Sequence, residues 1–495
     1  MAWIVTTLVI LPSWALVLCL AVSLLEPRLS PPWNARALPA LFVAASVLTL
    51  AGVLVWLRAE IACRDRPDPA ERDGGLPPWP VAVVSLLAAL VVLAALHTWI
   101  AAPGARAHLA DRRYGAVIDA GSSGSRVAIF EWRVAADGAP HVWPVAALDD
   151  NRVTGHRCPL TALLTSEAET CACLRTLVAT GRAAAVGSLG EPDLPRVPLW
   201  VKATAGVRRQ SRPDQERIVT AAAQCLGAAR DFELKNAEVI PGSREGVYAW
   251  LAVNDLAGTL RTDRIEETKG IVDLGGQSAQ IAYRIPRPPS TVPPQRGTIA
   301  SVPFGPDMLH IFAVSEELGR DAASAQIRRS GPDPCRPSGI PSECVRSINA
   351  FVCPSAGPDV AGESCPERLP EVTASAAMAF VGLSNFAYVG QNTGLGSGVK
   401  LERVREWAEQ FCGPSTERFR DRELVRGYLL QPAEPYRDDV CFDALYTTQL
   451  ASFVWGLSLG RIESLDLRRS GEVSWPVGAM IVEAATEARR LRGLP

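Results

Sequence analysis

Apolar and polar positions divide this chain into two unlike stretches. Met1 to Leu25 carries no charged side chain, Leu38 to Leu57 is a second uncharged run of 20, and Gly74 to Ala105 is a third with its apolar heart at Val81–Ala102. At about 1.5 Å rise per residue, about 20 residues span a hydrocarbon core of roughly 30 Å. The pattern predicts three transmembrane helices, about 2–25, 38–57 and 81–102, and so a membrane domain over 1–105. Loop 58–79 holds Arg58, Arg64, Arg66 and Arg72, against Arg28 and Arg36 in loop 26–37. Positive charge stays on the cytoplasmic side, which puts everything beyond about 106 outside the cytoplasm. The first run lacks the basic start of a cleaved signal and reads as a helix.

Beyond residue 113 the pattern becomes that of a soluble α/β protein. In YGAVIDAGSSGSRVAIFEW (114–132) an apolar run ends at Asp119, a Gly/Ser loop follows, and a strand resumes through Val127 and Ile129. GIVDLGGQSAQIAY (270–283) repeats the arrangement: with Asp119 set on Asp273, Gly121 falls on Gly275, Val127 on Ile281 and Ala128 on Ala282. Two copies in one register predict a duplicated domain with one phosphate loop from each half. Between them, PLWVKATAGVRR (198–209) reads as a strand and turn. Ser211 is placed to cap a helix with Pro213 in its first turn and Ile218, Ala222 and Leu226 on one face. Glu245 precedes Gly246 at the start of another helix.

The chemistry of the loops follows from their composition. Glycines let successive backbone N–H groups approach an anion closely, and the hydroxyls of Ser122, Ser123, Ser125 and Ser278 add donors. Asp119 and Asp273, each closing a first strand, can hold a divalent cation directly or through its waters. Of the ionisable side chains, Glu245 is the candidate general base near both loops, since none of the five histidines adjoins these motifs.

Charge and cysteine content sharpen the picture. With 50 basic and 52 acidic residues the net charge is −2, which excludes a nucleic-acid binder driven by bulk positive charge. A weakly acidic body that binds polyanionic phosphates must draw its positive field from backbone N–H groups and a bound metal. Ten of the 12 cysteines lie beyond residue 113, as expected for disulfides in an oxidising compartment. Cys412–Cys441 and pairings within 335–365 are the expected bridges; a Cys171-Ala-Cys173 zinc chelate is the rival reading and lacks a second close pair.

At this point the motifs resemble those of the apyrases, or nucleoside triphosphate diphosphohydrolases, of the actin/hexokinase-like ATPase superfamily. DAGSSGSR (119–126), KATAGVR (202–208), GSREGVYAWLAVN (242–254) and DLGGQSAQI (273–281) match four signature regions in order. FVGLSNFAYV (380–389) and SWPVGAM (474–480) look like two later ones.

The resemblance implies two ribonuclease-H-like domains with a central cleft: domain I at 114–241 plus 466–495, and domain II at 242–465. It implies that Glu245 takes a proton from an attacking water positioned by Ser278 and Gln280. Gly121, Ser122, Ser123, Gly124 and Ser125 would grip phosphate from one side, and Gly275, Gly276 and Gln277 from the other. Asp119 and Asp273, with Thr204 and Trp475, would hold the water shell of Mg²⁺ or Ca²⁺. Phe386 and Tyr388 would stack on the base.

The expected activity is metal-dependent hydrolysis of nucleoside tri- and/or diphosphates by a membrane-embedded protein. Its catalytic part would be extracellular, periplasmic or lumenal. Gly124-Ser125 is closer to the diphosphatase branch than to the ecto-type pair, and Gln277 stands where the family usually has a small residue. The alternatives are an exopolyphosphatase-like phosphohydrolase and a non-hydrolysing nucleotide-binding membrane sensor.

Overall fold

The first Gly/Ser segment folds as a hairpin. Strand β1 (Arg113–Ala120) pairs antiparallel with β2 (Ser125–Val134), and β3 (Pro140–Asp149) continues antiparallel beyond it. On the other edge of β1, β4 (Val197–Ala203) and β5 (Phe232–Val239) join in parallel, for the order β3-β2-β1-β4-β5. The second segment is built the same way: β6 (Gly270–Leu274) pairs antiparallel with β7 (Ala279–Arg284), and β7 with β9 (Asp307–Glu316). β10 (Phe380–Ser384) lies parallel to β6, and β11 (Ile462–Ser464) parallel to β10. One added strand, β8 (Thr298–Phe304), extends the order to β11-β10-β6-β7-β9-β8. The echo seen over a few residues of each loop therefore extends to five strands of each sheet.

This computed structural model describes residues 112–491, apart from 122–123, 136–137, 190–195, 261–263, 287–295, 306, 330–332, 337–338, 355–364, 366–373, 376, 414–438 and 466–474. The chain divides into two compact units, 1–112 and 113–495. The three expected membrane helices lie outside the described residues. Among the described residues no helix is long and apolar enough to cross a membrane.

Helices α1 (Asp150–Thr154), α2 (Glu167–Leu189), α3 (Ala205–Arg208) and α4 (Arg212–Gly227) belong to the first sheet. As its sequence suggests, α4 is capped by Ser211, whose side chain accepts from Asp214 N, and it buries Ile218, Ala222 and Leu226. These pack with Leu174 and Leu177 of α2 against Ile118 and Ile129 of the sheet. On the second sheet, α6 (Arg320–Arg329), α7 (Pro341–Val352), α8 (Asn385–Asn392), α9 (Leu401–Phe411) and α10 (Val440–Gln449) follow α5 (Gly242–Leu256) in the chain. The last helix is α11 (Trp475–Leu491).

α5 and α11 join the two sheets. Trp250 and Leu251 of α5 share one core with Met480, Ile481 and Ala484 of α11, and that core takes in Val117 and Phe130 from the first sheet and Ile271 and Ile311 from the second. The helices cross at backbone contact: a Cβ on Gly478 would lie 1.8 Å from the Tyr248 carbonyl oxygen, so only glycine fits there.

Disulfides join Cys158–Cys173, Cys171–Cys225, Cys335–Cys344, Cys353–Cys365 and Cys412–Cys441. The expected bridge at 412–441 and the pairings within 335–365 are present. Cys171 and Cys173 go to different partners, which removes the zinc-chelate reading.

Candidate functional site

The two glycine loops are closed by the same hydrogen bond. Gly121 N donates to Gly124 O at 2.9 Å, and at the matching offset Gly275 N donates to Ser278 O at 2.9 Å. These two N–H groups are thereby used inside their loops and are not phosphate donors. Between the loops lies a cavity of about 600 Å³. Asp119, Gly121 and Thr204 line it from the first half, and Asp273, Gly275, Gly276, Gln277, Ser278 and Gln280 from the second. Glu245, Tyr388 and Trp475 complete the set of expected residues on its wall. Ser122 and Ser123 lie outside the described residues.

Glu245 reaches the cavity from the first turn of α5, whose start is pressed against the second sheet. A Cβ on Gly242 would sit 2.1 Å from Ser315 Oγ, and one on Gly246 would sit 3.3 Å from Gln280 Cβ. Gln280, almost wholly buried, donates from Nε2 to Ser278 Oγ at 2.8 Å and to Ser315 Oγ at 3.2 Å. With a donor already on its oxygen, the Ser278 hydroxyl keeps its own proton to donate. Ser315 was not apparent from the sequence.

Three carboxylates share this space, and burial dominates each. It pushes Glu245 up to about 8; nearby Arg208 opposes the shift, and Asp273 and Asp119 add to it. Asp119 is pushed up to about 6 by burial, with Arg126 opposing and Asp273 reinforcing. Asp273 is also raised by burial, against the Ser384 hydroxyl and the Leu274 N–H. Glu245 Oε2 and Asp273 Oδ1 are buried with no hydrogen-bond partner.

Buried acids crowded together and left with open oxygens form a donor set that a divalent cation suits. Among the described residues, the three-residue set with ligand atoms within 4.8 Å of one another is His156, Cys158 and Cys173, and those two sulfurs are joined in a disulfide. The Asp119–Asp273 pair thus suits a cation held through its waters better than a direct chelate.

Thr204 stands at the end of β4, 5% exposed, with Oγ1 donating to Ala120 O at 3.3 Å. Its counterpart in the second half is Asn385, after β10, whose Nδ2 donates to Leu274 O at 2.6 Å. Ala120 and Leu274 are the residues that follow the two aspartates, so the duplication supplies a matching polar residue beside each. Asn385 lines the cavity and was also missed; carrying the loop alignment one strand further would have found it. Ser384 before it has φ 51° and ψ −120°, and among the described residues it alone of the non-glycines has a positive φ. Trp475 stacks on Tyr248 with ring centroids 6.2 Å apart. Just after α3, Arg209 donates across to Gln277 Oε1, joining the two halves beside the loops.

Two expectations are corrected. Ser125 is fully buried and off the cavity wall: its N–H donates to Asp150 Oδ2 at 2.6 Å and its hydroxyl to Cys158 O at 2.7 Å. Gly124 backs onto the same carboxylate, where a Cβ would lie 2.8 Å from Asp150 Oδ2. Asp150, which also accepts from Cys158 N at 2.6 Å, thus braces the first loop from behind. Phe386 is likewise no base-stacking ring. It is fully buried beside Trp455, because the turn into α8 directs it to the core while Tyr388, 48% exposed, faces the cavity.

Residues 106–300 match the GDA1/CD39 (nucleoside phosphatase) family. The chain is similar to "Probable apyrase 6" of Arabidopsis thaliana, 28% identical over 431 residues that cover 76% of this chain and 73% of that protein. It is similar to "Ectonucleoside triphosphate diphosphohydrolase 7" of Mus musculus at 30% identity over 211 residues, 38% of this chain and 34% of that protein. A crystal structure of nucleoside triphosphate hydrolases from Neospora caninum shares the fold, with a TM-score of 0.50 and 14% identity over 77% of this chain and 94% of that one. The architecture is α/β with two mixed sheets, and the family match and relatives support a nucleoside phosphatase.

Proposed function

We propose that this chain hydrolyses the terminal phosphoanhydride of nucleoside tri- and diphosphates to nucleoside monophosphate and phosphate, dependent on Mg²⁺ or Ca²⁺, in a compartment outside the cytoplasm. The observation that carries this reading is Glu245, which lines a cavity flanked by both glycine loops and whose buried Oε2 accepts no hydrogen bond and has only the Arg208 guanidinium near it, at 3.7 Å. Five disulfides favour an oxidising compartment, and the uncharged runs of 1–105 favour a membrane anchor. The catalytic part divides into 114–241 with 466–495, and 242–465; the two matching sheets support that division.

In this reading the nucleotide enters with its terminal phosphate between the loops. The N–H groups of Gly276, Gln277 and Ser278 and the Ser278 hydroxyl meet its oxygens. Gln280 holds the Ser278 hydroxyl in place, and the two orient a water in line with the bond to be cut. Glu245 Oε2 takes the proton of that water as its oxygen bonds to phosphorus, and the bond to the leaving phosphate oxygen breaks. Arg208 attracts the Glu245 carboxylate and favours its ionised form.

Asp119 and Asp273, with Thr204 and Trp475 beside them, would hold the hydrated divalent cation. When bound, it neutralises phosphate charge and offsets the two aspartates that help to keep Glu245 protonated. Phosphoryl transfer has a loose transition state, so positioning and neutralisation supply most of the catalysis. Tyr388 offers its exposed ring to a nucleobase, a contact that any base can make.

The test is phosphate release by the purified full chain from ATP, ADP, GDP, UDP and inorganic polyphosphate, with and without EDTA. Release from the nucleotides that EDTA abolishes is expected. Release that survives EDTA, or release from polyphosphate alone, would overturn the reading.

A further inference from the structure

The second glycine loop is held from behind by the start of α6. Arg320 N donates to Gly275 O at 2.9 Å, Asp321 N to Gly276 O at 2.9 Å, and Ala322 N to Gly276 O at 3.2 Å. The first N–H groups of a helix have no partner within it, and here they are spent on loop carbonyls. A trans peptide is planar, with its C=O and N–H pointing opposite ways. Turning the Gly275 and Gly276 carbonyls toward α6 therefore turns the N–H groups of Gly276 and Gln277 away from it, and both residues line the cavity. The approach demands glycine at 319, where a Cβ would lie 2.2 Å from the Gln277 carbonyl carbon; a Cβ on Gly276 would lie 2.5 Å from Asp321 Oδ2, an exposed side chain that would have to swing aside.

The start of α6 is in turn fixed by α10. Arg320 Nε donates to Asp443 Oδ1 at 2.8 Å, and its Nη2 donates to Asp439 Oδ2 at 2.6 Å. The three side chains are only 12%, 11% and 5% exposed for Arg320, Asp439 and Asp443. The guanidinium lies 5.9 Å over the Phe442 ring, and Tyr446 Oη donates to Leu318 O at 2.8 Å just before the helix. Arg328, two turns along α6, also pairs with Asp439. α10 is a firm reference because Cys441 ties it to Cys412 at the end of α9. Arg320 Nη1 also donates to Asp321 Oδ1 at 3.1 Å within α6, and the planar guanidinium's bonds to Asp439 and Asp443 set both the position and the rotation of the helix start.

We infer that Arg320 is a positioning residue for phosphate binding: by locking the start of α6 to Asp439 and Asp443, it aims the N–H groups of the second glycine loop into the cavity. The substrate side of this inference rests on the nucleotide phosphatase reading above; the loop geometry does not.

The test compares wild type with Arg320→Gln, Asp443→Asn and the double variant, in which no lone buried charge remains. Amide hydrogen exchange is read over 274–280 without nucleotide, with the β1–β2 segment as internal control. In Arg320→Gln, exchange over 274–280 should quicken about tenfold or more while the control stays unchanged. KM for ADP should rise about tenfold, with kcat within about threefold of wild type. Loss of folded enzyme alone would lower kcat and leave KM in place, which separates positioning from mere stability. If Arg320→Gln does not fold, Asp443→Asn and the double variant decide the matter, with shifts in the same direction. A folded double variant with unchanged loop exchange and unchanged KM would overturn the inference. A wild type that releases no phosphate would sink the functional reading instead, and the exchange result would still judge the role of Arg320.

Discussion

Arg208 Nη1 stands 3.7 Å from Glu245 Oε2, near enough to attract the carboxylate and too far to hydrogen-bond it. The same Nη1 is held by Ile240 O at 2.9 Å. The oxygen is thus left without a hydrogen bond, while Arg208 partly opposes the burial that favours the neutral acid. Glu245→Gln keeps the shape and removes the base, so kcat should fall by about 10²–10⁴-fold. Calorimetry with a non-hydrolysable nucleotide should show affinity near that of wild type. A variant that turns over at the normal rate would remove Glu245 from the mechanism.

The same burial makes stability depend on pH. Glu245 is pushed up to about 8 from an ordinary value of 4.5. A raised carboxyl contributes stability that is fully present below 4.5 and lost as pH rises through about 8, because the unfolded chain ionises first. In EDTA, Glu245→Gln should therefore melt progressively higher than wild type as pH goes from 5 to 8, on the order of several degrees at the upper end. Thermal melts across that range check it. A constant gap would mean that Glu245 is not held protonated by its surroundings.

Ser384 holds a left-handed φ of 51° beside Asp273. Such a conformation costs a non-glycine residue on the order of 1–3 kcal/mol. Ser384→Gly should relieve most of this and raise stability to denaturant by about 1 kcal/mol once the flexibility of glycine in the unfolded chain is set against it. The hydroxyl that favours ionised Asp273 is lost with it, so the concentration of Mg²⁺ giving half-maximal rate should increase. Equal metal dependence in the two proteins would show that the strain serves something else.

At the crossing of α5 and α11, Gly478 faces the Tyr248 carbonyl, a backbone atom that cannot swing away. Gly478→Ala should cost about 2 kcal/mol or more, read by urea unfolding. Both sheets pack on this helix pair, so the loss should appear in the global transition.

Tyr388 and Phe386 lie two residues apart and should behave oppositely. Tyr388→Ala should raise KM for ADP and UDP alike without lowering the melting temperature. Phe386→Ala empties a core position and should cost about 3–5 kcal/mol. Tyr388→Ala with unchanged nucleotide KM would exclude the ring from base binding.

Short-range features are legible in the order of residues alone. Asp119 and Asp273 lie on the cavity wall, Ser211 caps α4 and Glu245 opens a helix, as their neighbours in the chain predict, because turns, caps and strand ends are set by contacts within a few residues. The shared register of the two loops extends to five strands in each of the two sheets.

What could not be read was which neighbours a side chain would meet across the fold. Ser125 has the composition of a phosphate loop, yet Asp150 and Cys158, 25 and 33 residues away, take its N–H and hydroxyl. Asn385 looks like any residue at a helix start until Leu274, 111 residues earlier, is laid beside it. Arg320 gains its meaning from Asp443, 123 residues on. A loop's capacity to bind phosphate lies in its glycines and is local. The direction in which its N–H groups point is set by packing between distant elements, and that required the folded chain.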